Sequence, residues 1–233
     1  MKCRNSECPF SLRLDGNGES KARELNCLVA DSVKEVTFST GDFMFSQDQP
    51  SCCVYVLTEG VAKIVSVTPS GREQIVGFAN PHKLMVGLQS LSNNNYADSA
   101  VAETNITACK IRKRALLTAV ARDPNVALRL VDAMNAQLAM SRAMIRAGEH
   151  RTAAAKIAAF LLLLLPEEQG KKRYVLPVSR REIANILGLS EETVCRQMAK
   201  MKRQDILYAP RGSIEIHDWD RFRAIAEERQ TLH

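Results

Sequence analysis

The stretch SRREIANILGLSEETVCRQMAKMKRQ, residues 179–204, contains two helix starts separated by a single turn. Ser179 followed by Glu182 is a capping box, in which each side chain accepts a hydrogen bond from the backbone N–H of the other residue. A helix should therefore begin at Arg180. It should end at Gly188, because glycine adopts the left-handed conformation of a helix end without a Cβ clash.

A second helix is predicted directly after the Gly-Leu-Ser turn. Ser190 is a favourable N-cap, so this helix should run from Glu191 to about Lys202. Its apolar residues Val194, Met198 and Met201 repeat at helical spacing and should face inward. Two short helices joined by a tight turn form a helix-turn-helix, whose second helix is the recognition helix.

The residues around this motif are basic. Between Lys171 and Arg211 there are ten Lys or Arg and four acids, whereas the net charge of the whole chain is +6. Such a cluster is typical of a nucleic-acid surface, although a merely solvated face is the alternative. The segment ILYAPRGSIEIHD that follows predicts a β-hairpin turning at Arg211–Gly212, which would form a wing.

The outward face of the second helix has the chemistry to read bases. With Val194 inward, positions 192, 193, 195, 196 and 199 lie on or beside the exposed face. Arg196 can donate two hydrogen bonds to guanine, and Glu192 can accept one from cytosine. These two residues are four apart, so they are neighbours on the helix surface and could also form a simple surface ion pair.

Composition limits the class of protein. The chain of 233 residues is 45% apolar and 25% charged, as in proteins with a buried core. The apolar run AAAKIAAFLLLLL (153–165) is too short to span a membrane and contains Lys156, so we expect a buried helix. No hydrophobic signal segment begins the chain, which predicts a cytoplasmic protein without a membrane partner. No nucleophile–base constellation or phosphate-binding glycine loop is present, so we expect no enzyme.

The first half of the chain has the pattern of an antiparallel β-sandwich or barrel. From Val33 to about Ile111, short runs alternate apolar and polar residues, with Gly41, Gly60 and Gly71 at the breaks. The period then changes to that of a helix. An apolar seam with heptad spacing, consisting of Val131, Met134, Leu138 and Ile145, predicts a long helix that pairs with its copy in a homodimer.

The sequence therefore predicts an α+β fold in four segments. The alternative to dimerisation is that the apolar seam of the long helix packs against other parts of the same chain. Gly148 should end the long helix, and a short helix over about 19–31 should precede the strands. The segments are a 1–18 N-terminal arm, a 19–123 antiparallel β-roll sensor domain (a jelly roll of the cyclic-nucleotide-binding kind), a 124–148 dimerisation helix and a 149–233 winged helix-turn-helix.

The motif ILGLSEETVCRQM resembles the recognition segment of the CRP/FNR family of bacterial transcription regulators, whose pattern is Glu-Thr-Val/Ile-x-Arg after a Gly-Leu-Ser/Thr turn. The segments LTEGVAKI and GREQIVGF, the long helix and the winged helix follow in the family's order. The resemblance implies a homodimer that binds palindromic double-stranded DNA, most often as an activator that contacts RNA polymerase.

The resemblance also implies roles for individual residues. Base reading falls to Glu192 and Arg196, and phosphate contacts fall to Ser179, Ser190 and Thr193. Glu191 stands where cyclic-AMP receptors tend to have Arg, which points to the FNR/FixK-like branch and a TTGA-type half-site. Cys195 faces DNA where FNR-like proteins usually have Ser, so it is either a small inert residue or an oxidisable thiol.

The family resemblance disfavours a cyclic nucleotide as the signal. Family members that bind one use a Gly-Glu pair for the ribose and an Arg-Ser pair for the phosphate. Here Gly87 is followed by Leu88 and Gln89, and no Arg stands beside Ser99. A buried phosphate would lack its cationic partner, which is unfavourable.

The seven cysteines, an odd number, offer another signal. The ECPF context of Cys8 resembles that of oxygen sensors with a [4Fe–4S] cluster, which needs four thiolates. The candidate ligands are Cys3, Cys8, Cys27 and Cys109. Because the N-terminal spacing departs from the family's, packing cysteines or direct thiol sensing are the alternative.

Three further residues have weaker signals. The adjacent pair Cys52–Cys53 should point to opposite faces if it lies in a strand, which disfavours joint ligation. His82 could be a haem ligand or simple polar surface. The predicted function is a DNA-binding transcription regulator that senses a redox, oxygen or other signal. The alternative is a small-molecule-binding or redox protein whose basic face does not read sequence.

Overall fold

The computed structural model describes residues 33–81, 85–165 and 173–229. The chain divides into two compact units, Met1–Leu138 and Ala139–His233. This division falls inside the long helix, which contributes residues to both units. The boundaries at 124 and 148, which make that helix a separate segment, stay predictions. The predicted helix over 19–31 lies outside the described residues.

Two four-stranded antiparallel sheets form the first unit. One has the strand order β1-β8-β3-β6 and the other β2-β7-β4-β5. The predicted antiparallel β-roll is thereby confirmed. The strands are β1 Val33–Phe38, β2 Phe43–Phe45, β3 Cys53–Glu59, β4 Ala62–Val67, β5 Glu73–Ala79, β6 Met85–Val86, β7 Ser99–Ala102 and β8 Ile106–Arg112.

Gly60 makes the turn between β3 and β4 in the left-handed conformation, with φ of +82°. A Cβ atom at this position would lie 2.2 Å from the backbone oxygen of Asn105, which no side chain tolerates. Glycine is therefore required here for both its conformation and its size. The predicted strand breaks at Gly41 and Gly71 are also turns with positive φ.

The core of the first unit joins the sheet to two helices, α1 Lys113–Arg122 and α2 Pro124–Glu149. Val54 and Val56 of β3 and Ile111 of β8 pack in one cluster with Leu116 of α1. The cluster also contains the residues that α2 contributes at its start, namely Val126, Leu130 and Ala133. One face of α2 is thus held by the β-roll.

The predicted dimer seam lies along α2 and is exposed in the single chain. Met134, Leu138 and Ile145 are 57%, 48% and 67% exposed, and Val131 is 50% exposed. Burying such a row against a second chain would remove considerable apolar area from water. The helix ends at Glu149, one residue beyond the end predicted at Gly148, and Gly148 itself does not adopt the left-handed conformation.

The second unit is built around α3 Ala153–Leu164, which is buried on most of its faces, as predicted for this apolar run. Phe160, Ile157 and Leu161 have no exposed surface. Within the described ranges, no helix is long and apolar enough to span a membrane. The remaining elements are β9 Tyr174–Val175, α4 Arg180–Leu187, α5 Glu191–Arg203, β10 Leu207–Tyr208, β11 Ser213–Ile216 and α6 Trp219–Ala226.

Candidate nucleic-acid interface

The helix α4 begins and ends as its sequence predicts. The Ser179 hydroxyl accepts a hydrogen bond from the N–H of Glu182 at 3.2 Å, and the Glu182 carboxylate accepts one from the N–H of Ser179 at 2.8 Å. Gly188 ends the helix in the left-handed conformation, with φ of 64°. Because both ends are fixed locally, the turn that leads into α5 has a defined geometry.

The cap of the recognition helix α5 is formed by Ser190. Its hydroxyl accepts a hydrogen bond from the N–H of Thr193 at 3.1 Å and donates one to the Thr193 hydroxyl at 2.9 Å. The inward residues Val194, Met198 and Met201 are almost completely buried. This burial fixes the rotation of α5 about its axis and leaves the predicted DNA-facing side outside.

The exposed face of α5 carries a compact polar triad. Arg196 donates one hydrogen bond to the Glu192 carboxylate and another to the Thr193 hydroxyl, each at 3.2 Å. The Glu192 side chain is 86% exposed and that of Arg196 is 53% exposed. The predicted contact between Glu192 and Arg196 is therefore present, and the guanidinium is oriented from two sides with free edges left for a ligand.

Two other residues complete this end of α5. Cys195 is exposed beside Arg196, as predicted, and carries a free thiol. Glu191 and Glu192 occupy the first turn, where the positive end of the helix dipole stabilises carboxylates. The acids near a basic surface thus have a local structural reason in addition to any role in base reading.

The wing is the hairpin of β10 and β11, which pairs Leu207 with Ile216. Its turn contains Arg211 and Gly212, as predicted, and Gly212 has φ of +73°. The contacts that hold this wing in place could not be predicted from the sequence. Lys202 of α5 lies over the ring of Tyr208, 4.7 Å from its centre, and Arg180 donates a hydrogen bond to the Ala209 carbonyl.

The predicted cluster ligands are only partly within the described residues. Cys3, Cys8 and Cys27 lie outside them, whereas Cys109 lies on β8, half-buried, and packs against the core cluster. In the described ranges, no group of three or more His, Cys, Asp or Glu side chains is arranged to hold a metal ion. The structure therefore offers one candidate thiolate, and the [4Fe–4S] assignment stays a prediction.

Cys52 and Cys53 differ from each other. Cys52 is exposed and precedes β3, while Cys53 is the first, buried residue of that strand. Burial, together with a hydrogen bond between the two thiols, raises the pKa of Cys53 to about 11. Only Cys53 belongs to β3, so the expectation for a pair within one strand does not apply to these two residues. A protonated thiol is a poor nucleophile and ligand, which disfavours Cys53 as a reactive residue.

The positions that bind a cyclic nucleotide in some members of the family, Gly87 and Ser99 here, lie among the described residues. Gly87, with φ of 79°, precedes a short 3₁₀ helix, Leu88–Leu91. Ser99 of β7 is buried, and its hydroxyl accepts a hydrogen bond from the N–H of Gln47 at 2.9 Å. These contacts do not test nucleotide binding, so its absence stays a prediction. His82 lies outside the described residues.

An antiparallel β-roll followed by a long helix and a winged helix-turn-helix defines a class of DNA-binding transcription regulators. Two family models match the chain, the cyclic nucleotide-binding domain over residues 35–123 and the Crp-like helix-turn-helix domain over residues 155–225. The chain belongs to the CRP/FNR family. Family membership makes it a DNA-binding regulator of transcription rather than an enzyme.

Relatives place the chain in the FNR/FixK-like branch. The transcriptional activatory protein AadR of Rhodopseudomonas palustris is 32% identical over 198 residues, which are 83% of this chain and 82% of that protein. The nitrogen fixation regulation protein FixK of Bradyrhizobium diazoefficiens is 31% identical over 197 residues, with the same shares of each chain. The structure of FixK2 from Bradyrhizobium japonicum matches with a TM-score of 0.73 and 25% identity, covering 83% of this chain and 96% of that one.

Proposed function

We propose that this chain is a cytoplasmic transcription activator that binds, as a homodimer, a palindrome of TTGA-type half-sites. The observation that carries the proposal is the triad of Glu192, Thr193 and Arg196 on the exposed N-terminal part of α5. This is the part of a recognition helix that enters the major groove. Glu191 supports a TTGA-type half-site, since an arginine at this position would favour a half-site with an additional guanine.

Dimerisation is proposed from the exposed seam of α2. The residues Val131, Met134, Leu138 and Ile145 recur at heptad spacing and are about half exposed or more in the single chain. A two-fold pair of such helices would present two recognition helices to the two halves of a palindrome. Contact with RNA polymerase is proposed on family resemblance alone.

A palindromic duplex tests the proposal directly. In a two-fold dimer the half-site centres must lie roughly one helical turn apart, about 34–36 Å. Inserting five base pairs between two inverted TTGA half-sites rotates one of them by half a turn. We expect this duplex to bind about 100-fold more weakly than the palindrome in a fluorescence anisotropy titration, because only one half-site is then engaged. A duplex with the same five base pairs outside the site is the control. Equal affinity for both duplexes would contradict dimeric recognition.

The signal has two candidate forms. A [4Fe–4S] cluster would be held by Cys3, Cys8, Cys27 and Cys109, and direct thiol sensing would use an exposed cysteine such as Cys52. Of the four proposed ligands, Cys109 lies within the described residues, where it is half-buried and packs against the cluster of core residues that holds the start of α2. A structural change at Cys109 would therefore alter the packing of α2, the helix that carries the seam.

Purification without oxygen decides between these forms. If the cluster is present, we expect a brown protein with broad absorbance near 400 nm and about four iron and four sulfide per chain, as a four-thiolate site requires. Cys109→Ser should reduce the iron content, whereas Cys52→Ser should leave it unchanged. A colourless, iron-free preparation would rule the cluster out and leave packing cysteines or direct thiol sensing.

A further inference from the structure

Arg180 occupies a junction within the DNA-binding unit. It is the first residue of α4, directly after the Ser179 cap. Its Nη2 atom donates a hydrogen bond to the backbone carbonyl oxygen of Ala209 at 2.5 Å, across 29 residues of sequence. The guanidinium thus ties the start of the helix-turn-helix to the turn of the wing.

The surroundings of Arg180 distinguish it from the other basic residues nearby. Its side chain is half-buried, and this burial lowers the pKa of its guanidinium, with a smaller opposing influence from the nearby Cys195 thiol on α5. The guanidinium remains charged at neutral pH in spite of this. Arg181, the next residue of α4, is exposed. Of these two adjacent arginines, Arg180 is therefore half-buried and hydrogen-bonded within the protein, whereas Arg181 is exposed to solvent.

The turn that Arg180 contacts has few other attachments. Ala209 precedes Pro210, which has no N–H and cannot donate to a neighbouring strand. On its other side the turn is held by a hydrogen bond from the N–H of Leu176 to the Gly212 carbonyl at 3.0 Å. A second bond, from the N–H of Ser213 to the Pro210 carbonyl at 3.3 Å, closes the turn itself.

We propose that Arg180 is a positioning residue that fixes the wing against the helix-turn-helix, and that it does not act as a phosphate ligand. The expected effect of Arg180 on DNA affinity rests on the proposed DNA-binding function. The contact between Arg180 and the wing does not depend on it. The bond to Ala209 uses one of the five N–H donors of the guanidinium, and the half-buried Arg180 side chain presents less of its surface to a phosphate than the exposed Arg181 does. Because the wing is already ordered in the free protein, less conformational entropy is lost when it binds DNA.

Hydrogen exchange without DNA tests the geometry. In the full-length chain, Arg180→Met keeps the length of the side chain and removes its donors, and Arg181→Met removes the same charge from the exposed neighbour. We expect the amides of Leu176 and Ser213 to exchange roughly tenfold faster in Arg180→Met, the change that loss of one hydrogen bond would give. Arg181→Met should exchange as the unaltered chain does. Wing exchange that is unchanged, or that rises equally throughout the unit, would overturn the proposal.

Salt dependence of DNA binding tests the role. A residue that neutralises one phosphate contributes about 0.9 to the slope of log K against log salt. We expect Arg180→Met to lower affinity roughly tenfold with the slope unchanged, because a wing that must be ordered costs binding energy at every salt concentration. Arg181→Met is the control, because it shows how the affinity and the slope change when one positive charge is removed from an exposed position of the same helix. A slope reduced by about 0.9 in Arg180→Met would identify a phosphate contact and overturn the proposal. Because the exchange experiment needs no DNA, failure of the proposed function would not obscure its result.

Discussion

Arg196→Lys is expected to remove most of the discrimination between the palindrome and a scrambled duplex. Lysine keeps the positive charge but lacks the planar fork that forms two parallel hydrogen bonds with guanine. Each bidentate contact contributes about 1–3 kcal/mol to discrimination. Since a dimer makes the contact twice, the loss should amount to about 2–6 kcal/mol, or roughly 30- to 10⁴-fold in the affinity ratio.

The loss should have a second component within the protein. Arg196 holds hydrogen bonds to both Glu192 and Thr193, and lysine cannot satisfy these two acceptors with the same fixed geometry. Glu192 would then lose its orientation as well. Binding to scrambled DNA should change little, because that binding depends on charge.

Competition titrations with specific and scrambled duplexes measure this ratio. Arg203→Lys is the matched control, since Arg203 is an exposed arginine in the last turn of the same helix, away from the triad. We expect this control to bind as the unaltered chain does. If Arg196→Lys kept the full specificity ratio, the assignment of base reading to the triad would be wrong.

The parts of the site that could be predicted from sequence are those whose causes are local. The cap at Ser179, the left-handed Gly188 and the cap at Ser190 each depend on residues within four positions along the chain. The buried side of α5 follows from apolar spacing alone. Together these signals fix which side chains of α5 are exposed, and so the position of Glu192 and Arg196 could be predicted.

The features that the sequence did not indicate depend on contacts between distant residues or on backbone conformation. The bond from Arg180 to Ala209 joins two elements whose relation is set by the tertiary packing of the unit. Gly148 was expected to end α2, but a glycine stops a helix only when it adopts the left-handed conformation. The strand β3 begins at Cys53, so the alternation of faces expected within a strand does not extend to Cys52.

The two faces of α2 suggest how a signal would reach DNA. Val126 and Leu130 are buried in the core cluster of the β-roll, and Cys109 packs against the same cluster. Val131 and Met134, on another face of the helix, are exposed at the proposed seam. A signal that shifts the cluster would also shift Val131 and Met134, because they follow the cluster residues Leu130 and Ala133 directly in α2. This hypothesis requires that the seam lie at the subunit interface.

Leu138→Glu is expected to convert the dimer into a monomer at micromolar concentration. Leu138 is at the centre of the seam and is 48% exposed in the single chain, so the substitution should not disturb the fold of that chain. Fully burying a leucine contributes about 1.5–3 kcal/mol, and because Leu138 is already about half-buried in the single chain, the two copies together should lose about 1.5–3 kcal/mol. Two facing carboxylates add repulsion. The apolar loss alone should therefore raise the dissociation constant of the dimer by about 10- to 150-fold, and the repulsion raises it further.

Analytical ultracentrifugation measures the change, and Ala136→Glu is its control. Ala136 is exposed on the side of α2 away from the seam, so this variant introduces the same acid without meeting its copy. We expect Ala136→Glu to remain dimeric and to bind the palindrome normally. Leu138→Glu should bind the palindrome with the affinity of a single half-site, since each subunit still carries an intact recognition helix. A Leu138→Glu chain that stayed dimeric would place the interface elsewhere and remove the route by which the β-roll is proposed to control DNA binding.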